Sequence, residues 1–232
     1  MREVVFDTET TGLNPGGGDR IVEIGCIEMI NRVETGRHYH TYFFPERDMP
    51  FEAEMVHGLT TAFLSDKPLF CDKVDELLAF IEDSPLVAHN AGFDFGFLNY
   101  ELERAGRASL SMHRMVDTLQ LARSRHPGAK HSLDALCMRF GIDRSQRVKH
   151  GALLDAQLLA QVYVELTGGR QIGLGLIAEA GTVAAAQPAR PVTIREVRPA
   201  RPHSALAEEL ERHRAFIAML LNPLWERFAS IP

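Results

Sequence analysis

Residues 4–12, with the sequence VVFDTETTG, place an apolar, β-branched run directly before two carboxylates and a glycine. The run at residues 4–6 predicts a buried strand. Because side chains at i and i+2 of a strand point to the same face, Asp7 and Glu9 project together from its end. Two like charges at the edge of a core repel each other and lose hydration, and a bound Mg²⁺ or Mn²⁺ removes both costs. For an isolated Asp-x-Glu, a solvated strand end would be the simpler interpretation.

The composition is that of a globular protein with one good-sized domain and an appendage, since the chain has 232 residues, 45% of them hydrophobic and 24% charged. A net charge of −6 argues against a broad basic surface for nucleic acid. A nucleic-acid enzyme could still carry this charge if metal ions met the phosphates and another subunit held the duplex.

Cysteine spacing and hydropathy indicate a cytoplasmic protein. The cysteines, Cys26, Cys71 and Cys137, are odd in number and far apart, so neither a zinc site nor a disulfide framework is indicated. No apolar run approaches the ~20 residues needed to span a bilayer. The chain opens on the first strand, which leaves no room for a signal peptide. We therefore expect no membrane association.

Hydrophobic periodicity predicts an α/β order of elements. Two strands, residues 21–30 and 37–44, would follow the first strand as an antiparallel meander with a turn at 31–36. Short buried strands are predicted at 86–88 and 115–117. Thr60 and Ser132 are candidate helix N-caps, and helices are predicted over residues 71–82, 94–105, 118–124, 133–140 and 152–166.

Three groups of residues follow these elements and call for one explanation. Asp7 and Glu9 end a strand, Asp94 starts a helix just after another strand, and His150 and Asp155 flank the start of the last domain helix. In an α/β sheet, strand ends and the following helix starts converge on one edge. Four carboxylates would then surround a metal pair, and two ions about 3.5–4 Å apart can activate water and stabilise the leaving oxygen of a phosphoryl displacement.

His150 is the candidate general base, because Gly151 and the polar run before it place this histidine on a loop. A pKa near 6.5 suits proton abstraction from water. Alone, His150 would be interpreted as a solvated loop histidine, and Asp94 or Asp155 as an acid stabilised by a helix dipole. The functional interpretation depends on their joint occurrence.

The residues carry a family resemblance in three motifs: DTETTG at residues 7–12, HNAGFD at 89–94, and His150 followed by Asp155. In this order they resemble the three motifs of the DEDDh 3′–5′ exonucleases, over about residues 2–168. Within that family the chain is most similar to the proofreading subunits of bacterial DNA polymerase III, on its start at the first motif, the VHGLT segment at residues 56–60 and the tethered tail. The resemblance implies a ribonuclease H-like fold, a mixed five-stranded sheet flanked by helices. It also implies stepwise release of nucleoside 5′-monophosphates from DNA 3′ ends, single-stranded or frayed.

The resemblance also implies roles for individual residues. Two divalent ions, Mg²⁺ or Mn²⁺, would be held by Asp7, Glu9, Asp94 and Asp155, with His150 as the general base. Leu13 would wedge against the bases and His57 would contact the sugar, although plain core packing is the alternative for Leu13, Val56 and Phe93. The full set of expected substrate contacts is Thr10, Thr11, Leu13, His57, Asn90 and Phe93.

The composition changes after the predicted nuclease, which divides the chain into an exonuclease domain at residues 1–169, a flexible linker at 170–203 and a helical tail at 204–232. Residues 171–176, QIGLGL, are similar to the short motif by which replication proteins bind the sliding clamp, with an ordinary linker start as an equal alternative. The tail resembles the segment that binds the DNA polymerase III alpha subunit, and its apolar stripe would dock in a partner's groove unless it folds back on its own domain.

Two rival functions remain at this point. A DEDDh exoribonuclease that trims RNA 3′ ends would carry the same core motifs, although it would need neither tether nor tail. A non-catalytic interaction module could keep the fold, although the intact acidic residues argue against it. We expect a metal-dependent 3′–5′ exonuclease that proofreads DNA synthesis.

Overall fold

Five strands form one mixed sheet with the order β3-β2-β1-β4-β5. Strands β1, β2 and β3 form an antiparallel meander, whereas β4 pairs parallel with both β1 and β5. Helices lie on both faces, which confirms the predicted ribonuclease H-like architecture. The strands are β1 (Arg2–Thr10), β2 (Ile21–Ile30), β3 (Val33–Tyr42), β4 (Leu86–Ala88) and β5 (Met115–Asp117).

The computed structural model describes residues 1–147, 149–169 and 205–220. The chain divides into two units, Met1–Leu176 and Ile177–Pro232. The predicted linker at 170–203, with its clamp-binding peptide at 171–176, lies outside the described residues, as do the ends of the predicted tail.

Seven α-helices are described in the first unit and one in the second. Helix α8 of the second unit spans Ala207–Ala218, and the apolar residues Leu206, Leu210, Phe216 and Met219 are exposed. Among the described residues, no helix is both long and apolar enough to cross a membrane. The helices of the first unit are α1 (Phe51–His57), α2 (Thr61–Leu64), α3 (Phe70–Ile81), α4 (Ala91–Arg104), α5 (Thr118–Arg125), α6 (Leu133–Phe140) and α7 (Ala152–Leu166).

Successive side chains of β1 point to opposite faces of the sheet, because a strand has a period of two residues. Val4 and Phe6 belong to the core that includes α3 and α4, where Phe6 meets Phe95 edge to face at 5.9 Å. Val5 belongs to the core on the opposite face, formed with α7. Continuing the alternation puts Asp7 and Glu9 on the α7 side of β1.

The hairpin between β2 and β3 is tighter than the sequence predicts. Its turn is only Asn31 and Arg32, whose φ angles of 52° and 67° are both left-handed. Such a two-residue turn matches the twist of paired strands, so β3 starts at Val33 and ends at Tyr42, rather than spanning 37–44.

Helix α4 begins at Ala91, three residues before the predicted start, because Asn90 adopts a left-handed conformation at the N-cap. Asp94 therefore lies in the first turn of the helix. The predicted caps are confirmed, since the hydroxyls of Thr60 and Ser132 accept hydrogen bonds from the backbone N–H groups of Phe63 and Ala135.

Gly25 of β2 lies against the backbone at the start of α7. It lies opposite Asp7 in the β1–β2 register. A β-carbon at this position would lie 2.4 Å from both Cα and N of Leu153 and 2.5 Å from the carbonyl carbon of Ala152. Only glycine lets the start of α7 sit this close to β2.

We expect Gly25→Ala to lower the free energy of unfolding by about 1–3 kcal/mol, because the backbone of α7 must move away from the sheet. Urea unfolding of the two proteins measures this change. Gly96→Ala is the matched control, since a β-carbon on that exposed helical residue meets nothing within 4 Å. It should be neutral or stabilising by up to about 1 kcal/mol. Equal stability of both variants would contradict the close packing at Gly25.

Candidate active site

One cavity of about 700 Å³ collects the five residues predicted to carry the chemistry. Asp7 and Glu9 come from β1, Asp94 from the first turn of α4, and Asp155 from the first turn of α7, with His150 on the segment before α7. A volume of this size is typical of ligand sites. The strand and helix termini thus converge as the α/β argument predicts.

Glu9, His150 and Asp155 form the tightest group in this cavity. Each offers one ligand atom, and these atoms all lie within 4.8 Å of one another. Glu9 and Asp155 are 8% and 3% exposed, whereas His150 is exposed. Carboxylate oxygens and an imidazole nitrogen are ligands of divalent cations. This group of the described residues can therefore hold a metal ion.

Asp94 is held in place from the neighbouring strand. The Thr8 hydroxyl donates a 2.7 Å hydrogen bond to Asp94 Oδ1, and both side chains are buried. Because Thr8 stands between Asp7 and Glu9, this bond couples α4 to the acidic end of β1. Asp94 thereby lies beside the other carboxylates, although it does not belong to the group formed by Glu9, His150 and Asp155.

Burial and mutual repulsion disfavour the charged forms of three of the acids. Desolvation, followed by the charge of Asp94, raises the pKa of Asp7 well above its ordinary value. Desolvation and then the charge of Asp155 raise the pKa of Glu9 to about 8. Burial raises the pKa of Asp94 to about 7. Full ionisation near neutral pH needs a compensating cation, so the donor set and its electrostatics both fit a divalent metal.

Asp155 differs from the other acids because a guanidinium already neutralises it. Burial acts to raise its pKa, but hydrogen bonds from Arg147 and His150 hold the pKa below its ordinary value. Arg147 bonds both carboxylate oxygens, Nε to Oδ1 at 2.5 Å and Nη2 to Oδ2 at 2.7 Å. His150 Nδ1 lies 3.4 Å from Asp155 Oδ2.

Arg147 is a residue of this site that the sequence analysis missed. Its position three residues before His150, in the polar run of the third motif, was the available signal. Its Nη2 lies 2.9 Å from His150 Nδ1, and its Nη1 donates to Asp134 Oδ1 at 3.0 Å. Arg123, His131 and Asp134 also line the cavity and were not predicted.

Two of the six expected substrate contacts, Asn90 and Phe93, line the same cavity. Asn90 is exposed, and its backbone N–H donates to Asp117 Oδ1 at 3.1 Å, which fixes the left-handed corner before α4. Phe93 is half-buried and packs on Phe97 with ring centroids 4.9 Å apart. Both side chains are therefore in position to contact a molecule in the cavity.

The other four expected contacts, Thr10, Thr11, Leu13 and His57, are not part of the cavity wall. Thr10 Oγ1 donates to the Gly12 carbonyl at 2.6 Å. Thr11 is buried, and its hydroxyl accepts from the Arg20 N–H at 3.0 Å, so it holds the loop after β1 together. Leu13 is 83% exposed.

His57 is buried at the end of α1, next to the segment that carries His150. Its Nδ1 accepts a hydrogen bond from the Leu59 N–H at 3.0 Å, and its Nε2 meets no hydrogen-bond partner among the described residues. The His150 N–H donates to the Val56 carbonyl at 3.3 Å. The end of α1 thus supports the loop of the candidate general base.

Comparison with known proteins relates the chain to exonucleases. A family model described as an exonuclease matches residues 4–163. The chain is 50% identical over 231 residues to the DNA polymerase III subunit epsilon of Rickettsia felis, which covers 96% of this chain and 98% of that protein. It is 47% identical over 176 residues to the protein of the same name from Escherichia coli, covering 73% of this chain and 72% of the relative.

Solved structures give the same result for the fold. Exonuclease X in complex with 5′-overhanging duplex DNA is 26% identical, with a TM-score of 0.56. The similarity covers 71% of this chain and 90% of that one. The fold similarity therefore extends over most of both chains.

The acidic cavity predicts how stability changes with pH in the metal-free protein. The folded pKa values of Glu9 and Asp94, about 8 and about 7, exceed the ordinary values of 4.5 and 3.8. Their protonation therefore favours the folded state, and this contribution is fully present below about pH 4 and is lost as pH rises to 7 and 8. We expect the free energy of unfolding to fall between about pH 4 and 8 and to level off above pH 8, with a slope of up to about 1.4 kcal/mol per pH unit for each titrating group.

Urea unfolding in chelator at several pH values measures this slope. Glu9→Gln should flatten it, because the variant has one raised group fewer. Glu52→Gln, on the exposed first turn of α1, is the control and should keep the slope of the unaltered protein. Identical slopes in the unaltered protein and in Glu9→Gln would contradict the buried-charge argument.

Proposed function

The chain belongs to the exonuclease family, among the DNA polymerase III epsilon subunits, and on that premise we propose that the acidic cavity performs the 3′–5′ exonuclease reaction of DNA proofreading. The observation that carries the proposal is the convergence of the four predicted carboxylates and His150 in a single cavity. The products would be nucleoside 5′-monophosphates, released one at a time from single-stranded or frayed 3′ ends.

The carboxylates Asp7, Glu9, Asp94 and Asp155 would hold two divalent ions, Mg²⁺ or Mn²⁺. The raised pKa values of three of these acids and the close ligand atoms of Glu9 and Asp155 support this assignment. When bound, such ions neutralise phosphate charge and lower the pKa of water. The acids themselves would then remain ionised at neutral pH.

His150 would act as general base by accepting a proton from the attacking water on a ring nitrogen. The water oxygen forms the new bond to phosphorus, and the 3′ oxygen of the preceding nucleotide leaves. The side chain of His150 is 48% exposed, so it can reach a water in the cavity. Its backbone bond to Val56 anchors the loop without fixing the ring.

The terminal nucleotide would lie along the cavity and its rim. Asn90 and Phe93 would contact it from the wall, and the exposed Leu13 would pack against the bases. His57 would contact the sugar through Nε2, which is buried outside the cavity wall and must become accessible for that contact to form. Thr10 and Thr11 would act through the backbone that they hold, because their hydroxyls already make bonds within the loop.

We assign residues 1–169 to the catalytic domain, 170–203 to a linker and 204–232 to a tail that binds the DNA polymerase III alpha subunit. The exposed apolar residues of α8 support a docking role for the tail. The match to the Rickettsia felis relative covers 96% of the chain, well beyond the exonuclease-family match. Residues 171–176 would bind the sliding clamp, and the complex would operate in the cytoplasm, where bacterial DNA is replicated.

Trimming of RNA 3′ ends is the rival activity, because none of the described residues that line the cavity by itself excludes a 2′-hydroxyl. The names of the two epsilon relatives favour DNA. Matched single-stranded DNA and RNA of one sequence would separate the two activities, and faster degradation of the RNA would overturn the proofreading assignment.

Substitution of the proposed general base should slow chemistry while leaving metal binding intact. We expect His150→Ala to degrade a mispaired DNA primer about 10²- to 10⁴-fold more slowly, with an Mn²⁺ affinity close to that of the unaltered protein. Asp7→Asn should lose both activity and metal affinity. His113→Ala is the control, because His113 is exposed and lies outside the cavity wall. An ordinary rate for His150→Ala would refute its role.

The tail assignment makes a separate prediction. Leu210→Glu combined with Phe216→Glu should abolish co-elution of the full chain with the polymerase alpha subunit, because two exposed apolar side chains of α8 become charged. Hydrolysis of a single-stranded primer should be unchanged. Glu208→Gln with Glu211→Gln, also exposed on α8, serves as the control and should still co-elute. Co-elution of the Leu210/Phe216 variant would refute the assignment.

A further inference from the structure

Arg147 occupies an unusual position, because its guanidinium lies inside the acidic site and not beside it. Its side chain is only 8% exposed. Four of its contacts reach residues that line the cavity: both oxygens of Asp155, Nδ1 of His150 and Oδ1 of Asp134. Arg147 lies outside the helices, on the segment between α6 and α7. Its side chain is therefore held chiefly by the groups assigned to catalysis.

The contacts of Arg147 compete directly with a metal ion. One oxygen or nitrogen each of Asp155, Glu9 and His150 could ligate a cation, yet the guanidinium bonds both Asp155 oxygens and His150 Nδ1. A metal ion bound to Asp155 would lie next to the Arg147 guanidinium, and two such cations repel each other strongly in a buried site. Arginine cannot relieve the repulsion by losing its proton. The Arg147 guanidinium therefore has to move away from Asp155 when a metal ion binds.

We infer that Arg147 is a displaceable counter-ion of the acidic site, which holds Asp155 and His150 until a divalent cation takes its place. The inference rests on the proposed function, because it concerns the metal that Asp155 would bind there. It assigns Arg147 a positioning role, since the guanidinium acts through Asp155 and His150.

A second anchor is available to the displaced guanidinium. Asp134 Oδ1 accepts from Arg147 Nη1 at 3.0 Å and from Arg144 Nη1 at 2.9 Å, and the Asp134 side chain is 42% exposed. Arg147 can therefore release Asp155 and keep one charged partner nearer to solvent. The same movement removes its bond to His150 Nδ1, so metal binding and release of the proposed general base become one event.

A merely structural role for Arg147 makes the opposite prediction. If the guanidinium served to hold Asp155 in the geometry that a metal needs, its removal would weaken metal binding. If it is a competing cation, its removal strengthens metal binding and destabilises the metal-free protein. The sign of the change in affinity separates the two roles.

Calorimetric titration of the full-length protein with Mn²⁺ tests this sign. We expect Arg147→Gln to bind Mn²⁺ on the order of ten-fold more tightly than the unaltered protein and to melt at a lower temperature in chelator. Arg144→Gln is the matched control, because Arg144 shares Asp134 but does not contact Asp155. Its affinity should be unchanged, and equal or weaker binding by Arg147→Gln would overturn the inference.

A second measurement uses the unaltered protein and does not depend on the folding of a variant. The Nε–H of Arg147, bonded to Asp155, gives a proton–nitrogen signal that should shift or exchange with solvent when Mg²⁺ saturates the site. A signal that stays unchanged at saturation would overturn the displacement. Failure of the unaltered protein to bind either ion would instead refute the proposed function, with Asp7→Asn as the non-binding reference.

Discussion

Repulsion among buried carboxylates at one edge of the sheet is the constraint on which the rest of this structure depends. Asp7, Glu9 and Asp94 all have pKa values above their ordinary range, because burial and neighbouring charges disfavour ionisation. A fold tolerates such a cluster when protons, a guanidinium or metal ions balance the charge. Here the Arg147 guanidinium balances Asp155, and protons balance the three acids whose pKa values are raised.

The scaffold keeps these acids together through a few close contacts. Gly25 of β2, which pairs with Asp7 of β1, lets the start of α7 approach the sheet and so brings Asp155 towards the strand that carries Asp7 and Glu9. The Thr8 hydroxyl then binds Asp94 from the opposite face of the same strand. The geometry of the site is therefore a property of β1 and of the two helices that cross its end. The energy to maintain it comes from the apolar cores on the two faces.

Much of this arrangement follows from the sequence, because strand period and helix starts are local properties. Side chains alternate between the two faces of the sheet through residues 4–9, which places Asp7 and Glu9 together. Asp94 reaches the same edge of the sheet because it follows a strand. Arg147 could not be placed in this way. Its role depends on long-range contacts between a loop and a helix terminus, and residue type alone does not distinguish it from Arg144, which bonds Asp134 but not Asp155. The two-residue turn at Asn31 and Arg32 was missed for a similar reason, since neither residue is a glycine and the left-handed backbone is imposed by strand pairing.

The proposed organisation explains how a chain with a net negative charge can act on DNA. A net charge of −6 gives little general attraction to the DNA backbone, so a free nuclease of this kind would meet primer ends rarely. Attachment through a linker to a polymerase subunit would replace that missing affinity with a high local concentration near the 3′ end. Weak DNA binding by the nuclease then becomes useful, because the nuclease does not draw a correctly paired primer end out of the polymerase. An end that melts can reach the cavity within the same complex.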